Sequence, residues 1–117
     1  MTSRQPRWVY EDGDEPDPRF TLANERTFLA WVRTALAMVA GGVALHALPL
    51  DGPTGLRTVL AVGLILLGAL VGVGSFLRWA RVERAMRLHQ PLPSFGLGLA
   101  VTGALALVAV LLVVVLV

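Results

Sequence analysis

Residues 58–77 read TVLAVGLILLGALVGVGSFL, twenty residues without a single charge. A helix rises about 1.5 Å per residue, so a run of this length crosses the ~30 Å hydrocarbon core of a bilayer. Two further stretches do the same. Residues 28–48 form a 21-residue run interrupted by Arg33 and His46, and residues 95–117 form a 23-residue run without a charge. The ending Val113-Val114-Val115-Leu116-Val117 favours a strand by propensity. In lipid each backbone group must be paired internally, which an isolated strand cannot do, so this segment is read as helix. The expected fold is an all-α membrane protein with three transmembrane helices. The first run lies behind a long mixed-charge tail and is span-length, which argues against a cleaved signal peptide.

Composition agrees. Of 117 residues, 56% are hydrophobic and 15% charged, and the mean hydropathy is +0.70. Soluble domains carry about a quarter charged residues. A soluble enzyme, a nucleic-acid-binding domain and a disordered chain are all disfavoured, and the length supports one domain. Without cysteine there is no disulfide framework and no thiolate zinc site. His46 and His89 lie far apart, so no metal site is expected. No phosphate loop, paired intramembrane carboxylates or H-E-x-x-H motif is present, so neither enzymatic activity nor a cofactor is expected.

The chain has ten arginines and no lysine. Four precede the first span (Arg4, Arg7, Arg19, Arg26), one lies between spans one and two (Arg57), and four follow span two (Arg78, Arg81, Arg84, Arg87). By the positive-inside rule the N-terminus is expected in the cytoplasm and the C-terminus outside. Residues 1–17, centred on Glu11-Asp12-Gly13-Asp14-Glu15-Pro16-Asp17, are polar and acidic and are expected to be a mobile tail. Residues 18–117 form the transmembrane domain. Asp17 before Pro18 fits a helix cap and first helical position, so the first helix is expected to begin well ahead of its span. The arginines every third residue after span two read as a collar that sets topology and binds lipid headgroups.

From Leu22 the chain repeats with a period of seven. Leu22-Ala23, Leu29-Ala30 and Leu36-Ala37 recur, as do Arg19, Arg26 and Arg33. Seven residues make two helical turns within about 20°, so the three arginines share one stripe and the Leu-Ala pairs another. Arg33 lies five residues past Phe28, roughly 7–8 Å into the span. A charge at that depth is costly and by default faces a protein interior or an aqueous cavity; snorkelling to the headgroups is the competing reading. Asn24 and Glu25 stand at the membrane entry, where Glu25 can orient an arginine of a neighbouring helix. Gly68 and Gly72 form a G-x-x-x-G, which signals tight helix packing.

The run Asn24-Glu25-Arg26-Thr27-Phe28-Leu29-Ala30-Trp31, continuing to Ala37, resembles the YidH-like family of small bacterial inner-membrane proteins, a domain of unknown function. That family is similar to the transmembrane domain of the vacuolar transporter chaperone, a polyphosphate polymerase complex. The resemblance covers residues 18–117. It implies a three-helix domain in the bacterial inner membrane that assembles with copies or relatives around a basic pore for polyphosphate. It assigns Arg26 and Glu25 to the family's basic and acidic motif positions and Arg19 to a basic position one heptad earlier. A further basic position falls on Arg78 or Arg81. The basic residue expected at the entry to span three has no counterpart in Gln90–Phe95.

Two readings follow. In the first, the chain is a homo-oligomeric membrane module that binds or conducts an anion of the phosphate or polyphosphate class through Arg19, Arg26, Arg33, Arg78 and Arg81, supported by Asn24 and Glu25. Arginine suits phosphate because its planar fork bonds two oxygens at once. In the second, it is a non-transporting accessory or scaffold subunit that docks a larger membrane complex and binds anionic lipid. Both have the bilayer as partner and no nucleic acid. They differ in where Arg26 and Arg33 point.

Overall fold

The computed structural model describes residues 4–48, 54–94 and 96–117. Four helices follow in chain order: α1 (Arg7–Tyr10), α2 (Pro18–Ala47), α3 (Thr54–Arg87) and α4 (Gly96–Leu116). The described residues contain no strand. The last three helices are each long and apolar enough to cross a membrane. Asp17 caps α2, its carboxylate accepting the Arg19 backbone N–H at 2.9 Å, and Pro18 opens the helix. The valine-rich ending is helical through Leu116. Residues 49–53, which follow the first apolar run, and Phe95 at the expected start of span three lie outside the described residues.

α2 and α3 are longer than a bilayer requires. Their 30 and 34 residues correspond to about 45 and 51 Å, against a core of ~30 Å. They run antiparallel, so their surplus turns, residues 18–27 and 78–87, stand together at one end of a molecule 57 Å long. Four rings mark the boundary of that end. Phe28, Phe76 and Trp79 form a cluster with centroid separations of 5.8–6.5 Å, and Tyr10 adds to it 6.2 Å from Trp79. Aromatic rings with polar tips favour the membrane–water interface, so this cluster sets the level at which hydrocarbon gives way to headgroups.

The α2–α3 pair is closed by two glycines. A Cβ on Gly42 would lie 2.6 Å from the Ala61 carbonyl oxygen, and one on Gly68 would lie 2.8 Å from the Ala35 carbonyl oxygen. Both approaches are to backbone, which cannot step aside. Gly68 therefore works across the helix pair with Gly42. Its expected companion Gly72 is looser, since a Cβ there would meet Ala35 Cβ at an ordinary 3.9 Å. α4 packs on α3 through two apolar clusters, one around Leu45, Leu60, Leu64 and Val115, the other around Ala35, Met38, Val71 and Val101. A groove of about 400 Å³ separates α4 from α2, lined by Thr34, Ala37, Gly41 and residues of α4.

The acidic tail differs from its expected loose state. Residues 7–15 pack along the outer turns of α3, with Val9 fully buried. Burying one valine contributes roughly 1.5–3 kcal/mol. The polar neighbours of Val9 supply hydrogen bonds to arginines that lie more than seventy residues away in sequence.

Gly68→Val is expected to push α2 off α3 and to cost about 1–3 kcal/mol, as overpacking of tight interfaces does. Gly72→Ala should be nearly neutral. Thermal unfolding of the purified protein in detergent reads both, and equal stability of the two variants would refute the close-approach assignment.

Candidate functional site

α2 has two opposite faces, and α3 decides which is which. Asn24, Phe28, Ala35 and Gly42 are turned toward α3. At about 100° per residue, Arg26 lies two positions after Asn24 and Arg33 two positions before Ala35, each about 200° around the helix from a residue that faces α3. They therefore point away from α3, and both are exposed. Ala23, Ala30, Ala37, Ala40 and Ala44 share that outward face and are exposed as well. Leu22, Leu29, Leu36 and Val43 run alongside at 55–64% exposure. The seven-residue period is thus the period of an open face, with arginines and small residues at its centre.

The charges divide into two sets. Among the described residues, ion pairs use Arg4, Arg7, Arg19, Arg84, Arg87 and His89. None uses Arg26, Arg33, Arg78 or Arg81. Arg19, expected in the basic stripe, is held by Asp17 through two bonds from Nε and one of 2.8 Å from its terminal nitrogen. That contact, with the Arg19 backbone N–H, keeps the Asp17 carboxyl below its ordinary pKa. Among the described residues Arg33 has no such partner, and it stands five residues past Phe28, on the span side of the aromatic cluster.

Arg78 and Arg81 lie apart from the α2 face. They line a cavity of about 290 Å³ between the end of α3 and the start of α4, with Pro93, Ser94 and Leu97. The Arg78 Nε is buried there and donates to no acceptor. Within one chain, then, the five expected basic residues form no single site. Arg26 and Arg33 share one face, Arg78 and Arg81 share a cavity, and Arg19 is tied to its own cap.

The two supporting residues part company. Glu25 is exposed beside Phe28 and Trp79, and no cation within the described residues pairs with it. Asn24 is buried, with 6% of its surface exposed. Its Nδ2 donates to the Trp79 carbonyl at 3.0 Å and to Glu83 Oε1 at 3.3 Å. Thr21 Oγ1 donates to the other oxygen of Glu83 at 3.3 Å. Glu83, 1% exposed, is a buried carboxylate held by neutral donors, an arrangement that costs free energy once a donor is lost. Nothing local in the sequence points to Glu83: it stands four residues before Arg87, a spacing that by itself gives only a surface pair. Arg87 instead turns to the tail.

The family described as a domain of unknown function, DUF202, matches residues 19–85. An uncharacterized protein of Mycobacterium tuberculosis is 50% identical over 103 residues, covering 82% of this chain and 84% of that protein. The inner membrane protein YidH of Escherichia coli K12 is 47% identical over 100 residues, covering 85% and 87%, and YidH of Shigella flexneri matches equally. No solved structure matches at a significant level.

Asn24→Ala should destabilise the α2–α3 overhang by about 1–3 kcal/mol, because it leaves a buried carboxylate and a carbonyl short of a donor. Glu83→Gln in the same chain should recover part of that loss. A double-mutant cycle on thermal unfolding gives the coupling. Strictly additive effects would show that the two side chains do not act together.

Proposed function

This chain belongs to the DUF202 family, and from that premise we propose that it is an oligomeric anion-binding module of the inner membrane. It is an integral membrane protein, and its three apolar helices and its likeness to the inner membrane protein YidH place it in the bacterial inner membrane. In our reading copies associate through the outward face of α2. The alanines of that face let backbones come close, as small residues do between membrane helices. Arg26 and Arg33 of each copy then form two stacked rings, with Glu25 of a neighbour balancing Arg26. A ring of cations in a region short of water repels itself unless an anion fills it. Phosphate-bearing anions fit because guanidinium binds two oxygens at once. Polyphosphate is the ligand suggested by the resemblance to the vacuolar transporter chaperone domain.

The observation that carries this reading is Arg33. It is exposed, within a span, on the face opposite α3, and paired with no acid among the described residues. An intramembrane charge without a partner marks a functional site by default. The second reading, an accessory subunit docking a larger membrane protein, draws support from the open apolar face of α4, where Leu99, Leu107 and Val110 are 60–71% exposed.

The test is the affinity of purified protein for polyphosphate at low and high salt. Arg33→Ala should weaken binding at least about tenfold, the worth of one charge-assisted bond. Arg7→Ala should leave it unchanged, and wild-type binding should fall as salt rises. Equal affinities for all three chains would remove the anion module and leave the accessory reading.

The arginine distribution further supports a cytoplasmic tail and a cytoplasmic α3–α4 connection. A reporter active only in the cytoplasm should signal when inserted near His89 and stay silent when fused after Val117. The reverse pattern would invert the orientation.

A further inference from the structure

The outer turns of α3 carry a cluster of contacts separate from the α2 face. Arg84 donates from Nε to the Trp8 carbonyl at 3.1 Å and from a terminal nitrogen to Asp12 Oδ2 at 2.9 Å. Arg87 donates to the Asp12 carbonyl at 2.8 Å, the Tyr10 carbonyl at 2.7 Å and Glu15 Oε1 at 3.1 Å. Every acceptor comes from the N-terminal segment, residues 8–15, which lies over the two arginines as a strap. We propose that Arg84 and Arg87, with Arg81, form a phosphate-class anion site, and that this strap is its built-in occupant, which an incoming anion displaces.

Three observations carry this. First, the chemistry of the pairing is that of phosphate recognition: carboxylate and carbonyl oxygens converging on guanidinium forks. Second, the site stands at the right level. Arg84 lies five residues past Trp79, so about 7–8 Å beyond the aromatic boundary, where lipid phosphates and water-borne anions both reach. Third, the occupant is exchangeable and a seat beside it is open. The Arg84–Asp12 pair has side chains 42% and 47% exposed, whereas Glu15, 63% exposed, reaches an Arg87 side chain that is itself 6% exposed. The exposed Arg84–Asp12 pair is weak and screened by salt, so exchange starts there. Arg81, in no ion pair among the described residues, lines a cavity of about 400 Å³ with Trp8, Arg84, Gln90 and Pro91. An anion entering there meets Arg81 first and Arg84 next, and its charge takes the place of Asp12.

The strap can also leave as a unit. It is anchored by one buried apolar residue, Val9. It turns back at Gly13, whose φ of 68° is open to glycine and whose missing Cβ lets it lie against the Arg87 carbonyl. The neighbouring Asp14 N–H donates to that carbonyl at 2.9 Å.

The site shares no residue with the α2 rings, so the test runs both in the wild-type background and with Arg33→Ala. The chain has no cysteine, so Glu11→Cys places a single nitroxide on the outer side of the strap. Its mobility is read by electron paramagnetic resonance in three preparations: phosphatidylcholine vesicles, the same vesicles with phosphatidylglycerol added, and phosphatidylcholine vesicles with tripolyphosphate in solution. The label should be immobilised in the first and freed in the second or the third, and the freeing arm identifies lipid headgroup or free phosphate as the source. Asp12→Asn with Glu15→Gln should free the label in phosphatidylcholine alone. It should also bind the freeing anion about fivefold more tightly, the upper scale of the one exposed pair, Arg84–Asp12; adding Arg84→Gln should cancel that gain. Immobilisation in all three preparations, mobility in all three, or unchanged affinity after removal of the two carboxylates would each overturn the proposal. Release that persists with Arg33→Ala keeps this site standing even if the α2 reading fails.

Discussion

The close approach of α2 and α3 at Gly42 and Gly68 fixes the rest of the molecule. Once two backbones meet at carbonyl distance, neither helix can rotate without opening a gap along its whole length. The rotation of α2 is thereby set, and with it the identity of its free face. Arg26 and Arg33 are unpaired because the contact that stabilises the pair lies on the other side of the helix. The same register brings Asn24 opposite Trp79 and Glu83, so the overhanging turns are locked by hydrogen bonds where the apolar contact ends. Packing inside the membrane and polar pairing outside it thus specify one arrangement.

That arrangement sorts the charges. All the ion pairs among the described residues lie at the arginine-rich end outside the apolar spans, and every one uses an acid from residues 11–17. The tail's acidity is therefore local compensation for arginines that also serve topology. Compensation stops at the aromatic level. Beyond it no acid is in reach of Arg33, and near it Arg78 is half-enclosed with a buried Nε that bonds to nothing.

Sequence legibility follows the range of the interaction that decides each feature. The three spans, the Asp17–Pro18 start and the heptad stripe of Arg19, Arg26 and Arg33 were legible, because length, capping and period are local properties. The stripe told which residues share a face but not which way that face turns, since that depends on glycines in two different helices. Gly68 was singled out for its spacing from Gly72, whereas its effective partner is Gly42. Asn24 was read as an entry residue, and nothing near it in sequence pointed to Glu83, 59 positions away. The packed strap was hidden for the same reason. An acidic, proline-containing segment cannot bury a core by itself, and the arginines that receive it lie at the far end of α3.

The paired and unpaired arginines bear on how a small membrane protein can hold anions at all. An arginine saturated by its own chain's acids is electrostatically quiet, and an arginine left bare in hydrocarbon is costly. A chain that tolerates Arg33 must recover that cost in its working assembly, by water, by a neighbouring copy or by a bound anion. Lipid alone satisfies the guanidinium only if the side chain climbs back to the headgroups at the Phe28 level, toward a second charge one heptad away on the same face. Two like charges on one stripe make that climb less favourable than it would be for a solitary arginine. The stripe, more than either residue alone, is what supports our proposal of a shared, anion-occupied surface on α2.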